Sequence, residues 1–276
     1  MKLKYIIILT LILSINLFAY IDKDMDGVDN LLDRCPGTPI TDLVDFNGCS
    51  IKSLSSNHHY DIIFGLGYAQ TDYLVSDKIE TTTTSLQIDY FYKDFTLQVY
   101  SSYYSSRNDF FSDKGINDTV IAGYYRFKLY DNLLLNIGAG VILPTYDAVL
   151  NNNNTDYIGS INLNYAINSD INIFTGYNYT VVNDDDVTIT GSGTITYQNT
   201  SAYNVGIGYY LTQKTYISGS YNNSQSIYTK IPNIENASIY IFYSIDQNWF
   251  TNMSYSHGVS DSANDHYTSI RVGYYF

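Results

Sequence analysis

The sequence predicts an all-β chain: a twelve-stranded antiparallel up-and-down transmembrane β-barrel preceded by a small N-terminal module. Three observations carry this prediction. From His59 onward, runs of about ten residues alternate apolar with polar or small side chains, the two-residue period of a strand. Tight polar turns alternate with long stretches rich in Asn, Asp, Ser and Thr. No amphipathic helix appears that could cover the apolar faces.

Composition narrows the class. Among 276 residues there are 31 Tyr and only 4 Pro, and charged residues make up 15%, against about 25% in an ordinary soluble domain. Tyr joins an apolar ring to a wet tip, which suits a boundary between oil and water. The net charge of −13 and a pI near 4.4 exclude nucleic acid as a partner, since no basic stripe exists to displace counterions from a phosphate backbone.

Residues 1–19 read as a signal peptide: Lys2 and Lys4, the apolar run YIIILTLILSINLF, then Ala19. No later segment approaches the ~18 consecutive apolar residues of a spanning helix. Cys35 and Cys49 are the only cysteines, and an even pair in an exported chain reads as one disulfide.

Residues 20–50 form an acidic module. Counted from Asp22, carboxylates fall at positions 1, 3, 5 and 12 as Asp22, Asp24, Asp26 and Asp33. Gly27 stands at the sharp turn, Val28 offers a backbone carbonyl, and Asn30 offers an oxygen or holds a water. This is the spacing of a calcium loop, because a hard cation takes six to eight oxygens on a flexible ring. DKDMDGVDNLLDRCPGTP followed by VDFNGC resembles a thrombospondin type 3 repeat, in the version carried by outer-membrane protein A family chains of Gram-negative bacteria. The resemblance implies calcium as cofactor and a Cys35–Cys49 bridge closing the repeat. The chain departs from the family pattern at Asn30, where Asp is usual, and at Asp29, where Pro is common.

Residues 51–58 read as a linker and residues 59–276 as the barrel. YDIIFGLGYA sets Tyr60, Ile62, Phe64, Leu66 and Tyr68 against Asp61, Gly65 and Gly67. SLQIDYFYK, FTLQVYSSY and NLLLNIGAGV repeat the theme. Strands are expected to start near residues 59, 83, 95, 118, 132, 157, 170, 201, 214, 236, 247 and 266. In water such a sheet needs a covering layer. In lipid it needs none, provided it closes on itself and leaves no unpaired edge. Aromatic girdles and an even strand number fit a transmembrane barrel.

The last stretch, SIRVGYYF, puts Ile270, Val272, Tyr274 and Phe276 on one face. It resembles the closing strand of bacterial outer-membrane barrels, which commonly end in Phe. That resemblance implies the barrel-assembly machinery as a partner during biogenesis, and outer-membrane lipid and lipopolysaccharide as surroundings. An even barrel places both ends, and with them the acidic module, in the periplasm.

The lumen is expected to carry Asp61, Asp89, Arg126, Lys128 and Arg271. Gly65 and Gly67 leave room for Asp89 and Arg271 to approach, either as a charged constriction or as an internal ion pair. The function expected is passive passage of small polar solutes. The alternative is a structural or cell-adhesion protein with a plugged barrel. A rim hydrolase is a third reading, resting on His257 and His266 near Ser256, Ser260 and Asp261. No nucleophile motif surrounds those serines, so the chain is not expected to be an enzyme. The Gly-x-Gly pairs lie within strands rather than at helix starts and carry no nucleotide fingerprint.

Overall fold

The structure, a computed structural model, describes residues 22–30, 32–38, 42, 44–50, 58–72, 78–110, 112–146, 153–189 and 193–276. The signal segment and nearly all of the linker lie outside these. The chain divides into two units, residues 1–55 and 56–276.

The first unit has no regular secondary structure among its described residues beyond one antiparallel bridge, Val44 to Ser50. The Cys35–Cys49 disulfide, with Cα atoms 4.9 Å apart, fastens its two halves. Arg34 N–H donates to the Asn47 carbonyl at 2.8 Å, and the Thr38 hydroxyl donates to the Gly48 carbonyl at 2.7 Å.

The second unit is built of β1 (His58–Thr71), β2 (Ile79–Tyr92), β3 (Phe95–Arg107), β4 (Ser112–Ile116), β5 (Thr119–Tyr130), β6 (Leu133–Leu143), β7 (Asp156–Ala166), β8 (Ile171–Val181), β9 (Val187–Ile189), β10 (Gly193–Ile195), β11 (Thr200–Thr212), β12 (Thr215–Ser224), β13 (Ile234–Ser244), β14 (Trp249–Gly258) and β15 (His266–Tyr275). Twelve of these form the closed antiparallel barrel: β1–β3, β5–β8 and β11–β15. β1 closes it by pairing with β15, Asp61 opposite Tyr275, and Tyr60 and Phe276 exchange backbone hydrogen bonds at 3.3 and 2.9 Å. β4 prolongs β5 along the outer end of β3, with a one-residue register change at Asn117 and Asp118. β9 and β10 make a separate small hairpin.

The barrel strands run from 10 to 14 residues, enough to cross a bilayer when tilted. Paired residues followed once round the sheet from His58 lead back to the far end of β1, a stagger of about 14 residues. For twelve strands this stagger implies a tilt of about 40° and about 22 Å between opposite backbones.

Side chains are distributed inside-out. The buried apolar residues are only Ile63, Ala122 and Ala263 among those described, while Phe64, Val205 and Ile239 on the outer face are 51, 54 and 53% exposed. Outward Ile, Leu and Val occupy the middle of the strands. Outward Tyr and Trp crowd their ends: Tyr60, Tyr92 and Trp249 at one rim, Tyr68, Tyr103 and Tyr179 at the other. That is the distribution hydrocarbon and its two interfaces select.

Candidate functional site

The inner wall follows from strand pairing, since directly opposite residues share a face. Asp61, Asp89 and Gln98 lie side by side on β1, β2 and β3. Gln87 Nε2 donates to Asp89 Oδ2 at 2.7 Å, and Gln98 Nε2 donates to Asp89 Oδ1 at 2.9 Å. The Arg271 stem crosses Gly65, where a Cβ would lie 3.0 Å from Arg271 Cγ, and its Nη2 donates to Gln87 Oε1. The expected approach of Arg271 to Asp89 thus occurs over Gly65, but the two form no ion pair. Gln87 stands between them, accepting from one and donating to the other. The reason is steric: Gly65 opens a path from β15 only as far as β2's amide, and both Asp89 oxygens already accept amide donors.

Lys128 departs from the lumen set. A register irregularity between Lys128 and Tyr130 lies at the end of β5, and Lys128 Nζ reaches Asp131 in the turn at 3.2 Å. It belongs to the rim. Arg126 faces inward opposite Asn136. Asp61 is inward as well, with a buried Oδ1 that receives no hydrogen bond.

Sequence reading missed the most extended feature of this wall. Asn136, Asn162, Gly176, Asn204, Asn222 and Asn236 stand directly opposite one another on β6, β7, β8, β11, β12 and β13. Gly176 lets Asn162 and Asn204 close over it: a Cβ there would lie 2.3 Å from Asn162 Oδ1 and 3.1 Å from Asn204 Nδ2. Asn222 donates to Asn236 at 2.9 Å. The signal was present as at least one inward Asn on each of these strands, but only the register shows that five of them align with Gly176.

The glycines inside strands have a second use. A Cβ on Gly206 would lie 2.3 Å from the Phe174 ring, on Gly273 2.1 Å from Phe250, and on Gly138 2.4 Å from Tyr124. Each ring belongs to the residue directly opposite its glycine and lies across it. Rings laid on the wall in this way leave the lumen centre clearer than rings held off it.

In the first unit, one carboxylate oxygen each from Asp22, Asp24 and Asp26 lies within 4.8 Å of the others. Their remaining oxygens shape the loop. Asp22 accepts from Gly27 N–H at 2.8 Å, Asp24 from Gly37 and Thr38 N–H at 2.6 and 2.7 Å, and Asp26 from Val28 N–H at 2.9 Å. Gly27 takes φ +93°, as its turn position requires, and Met25 also has a positive φ, 59°. Asp33 is brought back by its own N–H bonding to the Asp29 carbonyl at 2.8 Å. Asn30 Oδ1 accepts from Lys23 N–H at 3.1 Å. Asp24 Oδ1, Asp26 Oδ2 and Asp33 Oδ2 are buried and receive no hydrogen bond. Burial pushes the Asp26 carboxyl up, and the charges of Asp24 and Asp33 add to the push. Burial also raises Asp22, reinforced by Asp24 and Asp26. Buried, undonated, mutually repelling carboxylate oxygens fit a hard cation chemically.

The residues suggested for hydrolysis are not assembled. Ser256 faces inward and shares a 2.7 Å hydrogen bond with Ser238, whereas the neighbouring His257 points outward and stacks on His266 at 5.2 Å. Ser260 Oγ accepts from Glu235 N–H at 2.9 Å.

No protein-family model and no curated protein matches the sequence. Solved structures do match by shape. An outer membrane channel from Pseudomonas putida F1 (COG4313) is 11% identical with a TM-score of 0.66, covering 81% of this chain and 97% of its own. The NanC porin is 13% identical at TM-score 0.54, with 77% and 98% covered. The KdgM porin is 11% identical at TM-score 0.53, with 78% and 98% covered. The chain therefore has the barrel fold of known outer-membrane channels and porins.

Proposed function

We propose that this chain is an outer-membrane channel through which small polar solutes pass passively. The observation that carries the reading is the inverted distribution of side chains: apolar groups exposed on the outer wall, almost none buried among the described residues, and Asn, Ser, Gly and Tyr inside. Hydrocarbon can satisfy such an exterior, and a closed ladder leaves no backbone group unpaired within it. The shape likeness to channels and porins supports the same reading. The twelve-strand count places β1's start and the end of β15 at one rim, which on this reading is the periplasmic one, with the N-terminal unit in the periplasm.

The N-terminal unit is read as a calcium module, with Asp22, Asp24, Asp26 and Asp33 as carboxylate ligands. Val28 and Asn30 complete the set the spacing suggests. Calcium there would neutralise the crowded carboxylates and fix the loop. The disulfide serves the same end by holding Gly48 against Asp26 and Asp33.

Purified, refolded full-length protein in planar bilayers tests the channel. Stepwise conductance in KCl is expected. Persistent silence from protein that has folded into its barrel overturns the channel and leaves a plugged structural or adhesive barrel.

A further inference from the structure

The inward residues of β6, β7, β8 and β11–β14 include a single carboxylate, Asp156 at the first position of β7, and no Lys or Arg. Asp156 is itself engaged, accepting from Asn183 N–H at 2.7 Å. The other inward charges of the described strands, Asp61, Asp89, Asp113, Arg126 and Arg271, lie on β1, β2, β4, β5 and β15, and Asp113 accepts from the Tyr104 hydroxyl at 2.7 Å. Apart from Asp156 at the outer end of β7, this stretch, more than half of the wall, carries no charge of either sign and presents amides, hydroxyls and aromatic rings among small and apolar side chains.

On this wall lies a recess of about 330 Å3, whose lining includes Asn136, Asn162, Asn164, Asn204, Tyr216 and Tyr240 together with Phe174. That volume is within the range of small-ligand sites. Its chemistry is specific. An amide donates through nitrogen and accepts through oxygen, so paired Asn side chains match paired hydroxyls, each of which also donates and accepts. Tyr216 stands 4.9 Å from Tyr210 and 6.4 Å from Tyr240, centroid to centroid, making a patch of adjacent rings beside the amides. Aromatic rings with a polar edge suit a ligand that has both a C–H face and a rim of hydroxyls. The lining itself carries no charged side chain, although Arg271 is within electrostatic reach of Tyr240, so a charged solute finds no direct ion-pair partner in the recess and keeps its own hydration instead.

We infer that this recess binds the rings of uncharged saccharides, so that the barrel is selective for short neutral oligosaccharides over charged ones of equal size. The inference rests on the channel reading and names its substrate class. The aligned Asn row is the recognition surface, and the tyrosines are the stacking surface. A purely structural amide row would tie neighbouring strands together but would not distinguish solutes.

The test uses full-length protein in bilayers, with KCl current as the baseline and maltotriose as the probe. Maltotriose is expected to reduce the current in a concentration-dependent way. A glucuronate oligomer of equal length is expected to require at least about tenfold more for the same effect. N204L and Y240A are expected to raise the half-blocking maltotriose concentration at least about fivefold, each measured against that variant's own KCl current. Conducting channels that ignore maltotriose, or that respond equally to both sugars, overturn the saccharide site and leave the channel standing. Silent bilayers overturn the channel, and equilibrium dialysis of labelled maltotriose against the detergent-solubilised protein then decides the site: specific, N204L-sensitive binding retains it and absence of binding removes it.

Discussion

Asp26 carries two demands at once. One oxygen accepts the Val28 N–H and shapes the turn, while the other is buried and aimed at the Asp22–Asp24 cluster. The spacing made these aspartates legible from the sequence. It could not show that Gly48, more than twenty positions beyond Asp26, closes the site. A Cβ on Gly48 would lie 2.2 Å from Asp33 Oδ1 and 2.9 Å from Asp26 Oδ2, and its φ of +72° favours glycine independently. D26N keeps the bond to Val28 and replaces the buried carboxylate oxygen by an amide. It is expected to weaken calcium binding to the full chain at least about tenfold, or ~1.4 kcal/mol. G48A is expected to do the same by displacing Asp33 and straining the backbone. Because Asp22 and Asp26 are pushed above the usual carboxylate range, protons compete with the cation there, and affinity falls as pH drops toward and below those raised values. Calorimetric titration of the disulfide-intact protein checks all three. Unchanged binding in both variants removes the calcium site.

Strands were the most legible level. The expected start points fall within four residues of the observed ones, because a barrel wall with an apolar exterior and a polar or small-residue interior imposes alternation on every span. What escaped lies where that contrast ends. β2 begins at Ile79, ahead of a Thr run that is polar on both faces, and the β9–β10 hairpin and the β4–β5 irregularity lie beyond the apolar band. The glycine–aromatic pairs escaped for another reason: each is a relation between two strands, and only register shows it. These pairs predict different penalties. A Cβ on Gly206 meets the Phe174 ring and also the Gly219 carbonyl at 2.7 Å, a backbone atom that cannot swing aside. On Gly273 its three nearest neighbours are all atoms of the Phe250 ring. G206A is expected to cost about 1–3 kcal/mol in urea unfolding of the refolded barrel. G273A is expected to cost less but to lower single-channel conductance, because the displaced Phe250 ring turns toward the lumen. Equal unfolding midpoints for the two variants would show that the rings, not the backbone, set the tolerance.

At the scale of the whole molecule, the stagger decides which inward side chains meet, and this is why the lumen was only partly legible. Asp89 and Arg271 were placed on the right face, but whether they touch depends on the tilt of about 40° that three neighbouring strands share. The result is an amide-spaced arrangement in which Arg271 and Asp89 each hold Gln87, and Asp61 faces Asp89 directly across the pair. In the half of the lumen nearer the start of β1, the acids Asp61 and Asp89 thus match the bases Arg126 and Arg271 in number, with Lys128 withdrawn to its turn and Asp113 and Asp156 at the other end. On the channel reading, an arc of charges balanced in this way is expected to pass small cations and anions with little preference, so the reversal potential across a KCl gradient is expected near zero. R271Q removes one base and can still hydrogen-bond Gln87, leaving the two carboxylates undercompensated. The reversal potential is then expected to shift toward the cation value, strongly at low salt and weakly near 1 M, where the screening length falls to about 3 Å. A null shift at low salt would mean that Arg271 sees no permeating ion, and that the charged arc of β1, β2, β5 and β15 braces the wall without steering what passes through it.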